Sequence, residues 1–415
     1  MKRKAILPWI SIALALASAV GIYFLPEYHL WFLAVLLLNL LAAFVFGKKY
    51  SNAALTVCRL LVGALFIFSS FTKGVDPLGT KYKMLDYLSV YGMTWLNDYT
   101  LVLAIGMILA EFLVGICLIT KVLPRLAVLG ATLLMLFFTI TTLFDALYDL
   151  VPDCGCFGTA IKMSNWQTFY KNLVIDAVLV PLIINNKQLK NRLGFVVQFL
   201  IGCFFAGAFL GFEIYNYRHL PVIDFMNWKV GKQMNAEPTE ETRIYLIYRN
   251  KATGETQEFI SPNYPWNDSV WMSQWEFVDQ QTEGGANFLG FSALDEEGND
   301  VTESILTTDN LLMFTSHDLT KVTEEEWEKA KVITETAEKQ GCTVIWTVAD
   351  EPEYVEQLRQ KYGFLYEVYY ADELEIKPIV RSNPGLIWLD NGLVKDKWSA
   401  VDFPQGEKLE QLFVE

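Results

Sequence analysis

Long apolar runs dominate the first half of the chain. Seven of them, at about 6–24, 30–47, 53–71, 100–120, 126–148, 170–186 and 194–215, predict membrane-crossing helices, since a spanning helix needs about 20 apolar residues. Beyond residue 216 the pattern changes. "RIYLIYRNKATGETQEFI" alternates apolar and polar positions around a glycine-containing turn, which predicts a hairpin. "PNYPWNDSVWMSQWEFV" concentrates aromatics and reads as a small core or a partner surface. From about residue 286 the predicted order is a hairpin in "FSALDEEGNDVTESIL", a buried strand in "NLLMFTS", an amphipathic helix in "TEEEWEKAKVITETAEKQG", a second buried strand in "CTVIWTVA", a helix in "EPEYVEQLRQKYG" and a closing hairpin turned at Asp390-Asn391-Gly392.

Charge divides the chain at the same place. Residues 1–216 carry 16 basic and 10 acidic side chains, and the remainder carries 17 and 37, giving the net charge of −14. A basic apolar half followed by an acidic polar half predicts a membrane domain joined to a soluble one. The acidic half excludes nucleic acid as a partner and does not lie flat on anionic lipid. The cationic links Lys2-Arg3-Lys4, Lys48-Lys49, Lys121 with Arg125, and Lys187, Lys190 with Arg192 fall on alternate sides of the spans. The positive-inside rule then places the N-terminus in the cytoplasm, in a bacterial inner membrane, with the loops at 25–29, 72–99 and 149–169 and the C-terminal half in the periplasm. The first run also fits a signal peptide, with "MKRK" ahead of it and "ALASAV" within it.

Ionisable residues inside spans are costly and point to function or to interhelical pairing. Arg59, Glu111, Asp145 and Asp176 lie well inside, and an Arg59–Glu111 pair would satisfy both partners. Asp145 sits near its helix end, placed to snorkel or to accept a proton from a nearby thiol. Glu213 ends the last span, where it is expected to reach water. These groups read either as structural glue or as a polar cavity for protons or a quinone headgroup.

The loop "LYDLVPDCGCFGTAIK" places Cys154 and Cys156 one glycine apart, facing an oxidising compartment in this topology. A bridge across so short a ring is strained and reducible, and it removes little unfolded-state entropy. Three readings stay open: thiol exchange, a tie for the loop, or a zinc site completed by His29 and His219, with Asp149 and Asp153 nearby. Cys58, Cys117 and Cys203 sit in apolar spans and Cys342 opens a strand, all as small core residues.

"RLLVGALFIFSSFTKGVDPL" and "LAIGMILAEFLVGICLITKVLPR" resemble the first two helices of the DoxX-like membrane proteins, with Arg59, Phe68, Lys73, Gly74, Glu111 and Gly115 at the matching positions. Cys154, Gly155, Cys156, Phe157 and Gly158, then Trp166 and Lys171-Asn172, resemble the MauE (methylamine utilisation) branch, which usually has Arg-Asn at the last pair. The resemblance covers about residues 53–187. It implies a four-helix membrane bundle, thiol chemistry in periplasmic protein maturation and, through the DoxD relatives, a quinone as cofactor. The order of elements in the tail resembles a thioredoxin fold, with Pro384 at the cis-proline position. His317-Asp318-Leu319-Thr320 stands where that fold carries its redox cysteines, so the tail has no nucleophile there.

The expected architecture is therefore a polytopic α-helical membrane protein of about seven spans plus an α/β thioredoxin-like soluble domain. Two N-terminal helices occupy 1–50, a DoxX/MauE-like bundle 51–190, a seventh span 191–216, a β-rich linker 217–285 and the periplasmic domain 286–415. Two functions fit: a redox accessory using Cys154 and Cys156, or a non-enzymatic scaffold whose tail holds a periplasmic client or envelope partner. A carrier is disfavoured, because the spans lack the broken helices and paired half-repeats of transporters.

Overall fold

The computed structural model describes residues 7–24, 29–151, 155–161, 163–191, 193–235, 243–251, 256–260, 269–283, 291–363 and 367–412. The chain forms two compact units, Met1–Phe225 and Met226–Glu415.

The first unit is helical. Its helices are α1 (Leu7–Phe24), α2 (His29–Phe46), α3 (Asn52–Val75), α4 (Pro77–Val90), α5 (Thr100–Thr120), α6 (Pro124–Tyr148), α7 (Asn165–Ile184) and α8 (Phe195–Arg218). Among the described residues six helical segments are long and apolar enough to cross a membrane, running from Trp31–Lys49 to Phe195–Arg218. The first apolar run contributes the shorter stretch Pro8–Ser18. The region 72–99, expected as a loop, instead carries α4 and a turn of 3-10 helix at Thr94–Tyr99. Asp76 accounts for this: its carboxylate accepts from Gly79 N at 3.0 Å, and Pro77 opens the helix.

Local chemistry fixes the helix starts. The Ser51 hydroxyl accepts from Ala54 N at the start of α3. Ser164 and Gln167 form a capping box on α7. α3, α5, α6 and α7 pack around a common core, with α1 and α2 laid on α7 and α8 on α5. α3 and α5 approach closely at Gly63 and Gly115, where a methyl group on Gly115 would stand 2.8 Å from Ile67 N. Close backbone approach of this kind is how helices associate in lipid, where apolar burial alone gives little drive.

The second unit contains two sheets. β1 (Arg243–Asn250), β2 (Thr256–Ile260) and β3 (Trp275–Glu283) form an antiparallel sheet ordered β2-β1-β3. The β1–β2 hairpin is the one the alternation predicts; β3 and the short helix α9 (Ser269–Gln274) are additional. The expected hairpin near residue 294 reduces to a Leu294–Asp300 bridge followed by α10 (Thr302–Thr307).

The larger sheet runs β6-β5-β4-β7-β8, built from β4 (Leu311–Ser316), β5 (Thr343–Val348), β6 (Val368–Tyr370), β7 (Gly385–Asp390) and β8 (Leu393–Ser399). β4, β5 and β6 are parallel, and β7 and β8 are antiparallel to their neighbours. α11 (Glu324–Lys339) and α12 (Pro352–Tyr362) connect the parallel strands. α11 begins with a Thr323/Glu326 capping box and three glutamates in its first turn, which the helix dipole favours. Every residue of β4 is buried, as expected for a central strand covered on both faces. Only three residues long, β6 carries too little pattern to be read from sequence.

Candidate functional site

The membrane unit encloses an apolar cavity of about 260 Å³ between α3, α4, α5, α6 and α7. Most of its wall is apolar, including Leu65, Met84, Met107, Met135 and Phe138. A few polar groups converge on it, which is the usual composition of a small-molecule site.

Its charged centre is an ion pair that the sequence assigns otherwise. Lys73 Nζ lies 2.6 Å from Glu111 Oε1, and the two residues are 5% and 1% exposed. Arg59 does not reach Glu111. Its guanidinium donates to the carbonyls of Leu118 and Ile119, at the end of α5. The α3–α5 register explains the exchange. With Arg59 beside residues 118 and 119, Glu111 lies about two turns away, roughly 10 Å along the axis. Lys73, at the opposite end of α3, is the cation in register. The unsatisfied carbonyls and negative dipole end of α5 provide Arg59 with its own partner.

The cysteine loop closes over this pair. The Ser69 hydroxyl lies 2.8 Å from Glu111 Oε2 and 2.9 Å from the Cys156 carbonyl, and its single proton serves one acceptor at a time. Cys156 and Phe157 line the cavity. Phe157 packs on Phe68 and receives Lys171 Nζ over its ring at 4.7 Å. Gly155 and Gly158 take positive φ values of 61° and 56°, and Gly158 N donates to Gly155 O across the turn. A side chain on Gly158 would stand 3.1 Å from Thr72 O, so glycine also lets the loop lie against α3. Cys154 and Asp153 lie outside the described residues.

The other predicted residues distribute around this centre. Asn172 donates to Thr142 Oγ1 at 3.0 Å, and both line the cavity. Asp145 is fully buried rather than snorkelling. Its Oδ2 accepts from Tyr87 at 2.6 Å, and it is within electrostatic reach of Cys156. Asp176 accepts from Thr139 at 2.8 Å between α6 and α7, away from the cavity lining. Trp166 packs against Phe169 and Tyr170. Glu213, expected to reach water, is fully buried, with its Cγ near Gly74. Sequence reasoning did not single out Ser69 or Tyr87. A serine pair inside the apolar run "FIFSSFTKG" is the available signal for Ser69, whereas Tyr87 enters through α4, whose mixed composition gives no helical signal.

The zinc reading gathers no support from the geometry. No cluster of three or more metal-ligating side chains occurs among the described residues. His219 stacks on Tyr215 with centroids 4.6 Å apart, Asp149 accepts from Asn165, and the side chain of His29 lies outside the described residues.

In the second unit, the segment after β4 is held by backbone and amide bonds. Asn383 Oδ1 accepts from His317 N at 2.9 Å, and Asn383 Nδ2 donates to Asp318 O at 2.7 Å. Asp318 caps the turn, accepting from Thr320 N. Asp350 Oδ2 accepts from Leu319 N at 2.9 Å. Burial, reinforced by Lys377 and Lys321, pushes the His317 imidazole down to about 4. The Asn383–Pro384 peptide bond is cis.

No curated protein and no solved structure matches the chain. Residues 51–185, a third of its length, match the family described as methylamine utilisation protein MauE. That segment contains α3 to α7 and every side chain lining the cavity, so the candidate site lies wholly within the MauE-like part of a multi-pass membrane protein.

Proposed function

We propose that this protein is an accessory in thiol–disulfide chemistry outside the cytoplasm, with the MauE-like bundle passing electrons from a thiol client to a membrane quinone. The observation that carries this reading is the shared cavity. Cys156 lines the same apolar space as the Lys73–Glu111 pair, and the Ser69 hydroxyl stands within reach of both Glu111 and the Cys156 carbonyl, donating to one at a time. In the proposed cycle a client dithiol reduces a Cys154–Cys156 disulfide by thiolate attack. Two protons and two electrons pass to the cysteine pair, and the client leaves as a disulfide. A quinone held in the cavity would supply the matching two-electron, two-proton acceptor needed to reoxidise the pair. The wall residues Met84, Met107 and Phe138 suit an apolar ring. Lys73 and Asn172 are the donors near which its carbonyl oxygens would be held. Asp145, buried beside Tyr87, is the proposed acceptor for the thiol proton.

The tail is proposed to hold the client. Its β6-β5-β4-β7-β8 order supports a thioredoxin-like reading. His317-Asp318-Leu319-Thr320 after β4 has no thiol with which to perform exchange itself. That same feature favours the second reading, a scaffold without chemistry of its own.

The discriminating experiment is to trap the redox state of Cys154 and Cys156 in intact cells with a mass-shifting alkylating agent, in the wild type and in the Cys154→Ser and Cys156→Ser variants. The expected result is a pair that cycles, becomes fully reduced when quinone is depleted, and traps a client in one variant. A pair that stays oxidised under every condition, with no trapped client, overturns the redox reading and leaves the scaffold.

A further inference from the structure

At the end of the bundle formed by the α5–α6 turn and the start of α8 lies a second concavity, a groove of about 640 Å³. Arg125 and Lys190 line it, with Leu123, Leu126, Leu189 and Phe195 among the apolar walls. Hydrogen bonds fix its shape. Gln198, 8% exposed, accepts from Leu123 N at 2.8 Å and donates to Leu193 O at 2.7 Å. Asn191 donates to Lys121 O at 2.6 Å, and Arg125 donates to Lys187 O at 3.1 Å.

Two features define the ligand chemistry. First, the charge is of one sign. No Asp or Glu occurs in residues 112–144 or 177–212, so Lys121, Arg125, Lys187 and Lys190 have no acidic neighbour on their own segments. Second, the groove opens onto apolar surface. Leu126 and Phe195 are 55% and 65% exposed, on helices apolar enough to cross a membrane. A soluble anion would satisfy the cations and leave these side chains uncovered. A neutral lipid would cover them and leave the cations unmatched.

We infer that this groove is a binding site for an anionic phospholipid, its phosphodiester between Arg125 and Lys190 and its acyl chains along Leu126 and Phe195. Basic pockets between membrane helices hold anionic headgroups by the same combination of charge and apolar wall. The inference is independent of the thiol chemistry, because no groove residue lines the first cavity.

The test uses the delipidated full-length protein in detergent, titrated with phosphatidylglycerol or phosphatidylcholine and read by native mass spectrometry. Phosphatidylglycerol is expected to remain bound and phosphatidylcholine to dissociate. The R125Q/K190Q variant should weaken phosphatidylglycerol roughly 30-fold, the effect of losing two headgroup cations. The K48Q/K49Q variant, which removes the same charge from residues that do not line the groove, should change it by less than about threefold. Equal losses in the two variants, equal binding of both lipids, or displacement of the lipid by soluble glycerol phosphate would overturn the site. A photoactivatable phosphatidylglycerol tests it without any substitution. Labelling is expected within residues 121–126 or 189–198, and labelling confined to other segments rejects the groove.

Discussion

The two units treat buried polar and bulky groups in opposite ways. The bundle leaves a cavity around a buried cation and carboxylate and brings a cysteine to its wall. The tail fills the centre of its sheet with stacked rings. Phe314 and Trp346 lie 4.6 Å apart, Trp346 and Trp327 5.1 Å, and Trp327 and Tyr362 4.7 Å. The solvents explain the contrast. In water, burying each ring is strongly favourable, and a close-packed core results. In lipid, apolar side chains gain little by leaving the tails for the protein, so helices are located by close backbone contacts and polar pairs. Space between helices is then tolerated, and the polar groups within it become the determinants of structure. The lesson is that the tail's stability resides in its core and the bundle's in the groups lining its site.

The sharpest way to break this comparison is at the ion pair. Lys73→Met leaves Glu111 buried without its cation and should cost about 3–5 kcal/mol, read as a lowered thermal midpoint in detergent. The Lys73→Met/Glu111→Leu double variant should recover most of that loss, because a buried pair exchanged for apolar groups is often neutral. A harmless single variant would remove the pair from the centre of the bundle's stability.

In the tail the corresponding substitution is Trp346→Ala. Trp346 is 1% exposed between two rings, and the loss should be about 3 kcal/mol. Near-ultraviolet dichroism would follow the collapse of the stack, while alkylation of Cys156 should stay unchanged. Coupled loss in both readouts would show that the two units do not behave separately.

A smaller effect is expected from pH. The His317 imidazole in the folded tail is pushed down to about 4, against about 6.5 for an unfolded histidine. Between these values the unfolded chain binds more protons, so stability falls as pH is lowered from 6.5 to 4 and is flat outside that window. The contribution is about 2 kcal/mol after allowance for solvent screening. His317→Asn should flatten this part of the profile, whereas an unchanged slope would assign it to other groups.

The smallest effect is expected at the cysteine loop. Gly158→Ala places a methyl group at positive φ and against Thr72 O, costing about 1–2 kcal/mol locally. Displacement of the loop should raise the alkylation rate of Cys156 several-fold with little change in the midpoint. An unchanged rate would mean that the loop does not depend on its contact with α3.

Legibility in the sequence followed the range of the forces involved. The apolar runs, the β1–β2 hairpin, β4, β5, α11 and the Asn391-Gly392 turn were readable, because each is specified by residues within a few positions of one another. The Cys-Gly-Cys-Phe-Gly block stands out for the same reason, and its Cys156 and Phe157 line the cavity. β6 was too short to show a pattern, and α4 was hidden because its mixed composition resembles a loop. Arg59 was visible as an unusual cation inside a span and Lys73 as a matching position at the end of its helix, but their partners were not. The choice between them depends on how far α3 has slid along α5.

The sequence by itself therefore determined that the first half is rich in helices apolar enough to cross a membrane, where the acidic tail begins, and that polar groups inside such helices require partners. Hydrophobicity and turn chemistry are local, and they survive reading one residue at a time. Only the tertiary structure decided that Glu111 pairs with Lys73, that Arg59 closes the end of α5, that Glu213 is buried against Gly74, and that Cys156 shares a cavity with the ion pair. Those outcomes depend on the register and rotation of helices packed side by side. Packing sets such geometry through contacts between residues about 40 to 90 positions apart, such as Lys73 with Glu111 and Ser69 with Cys156, and no local pattern records it.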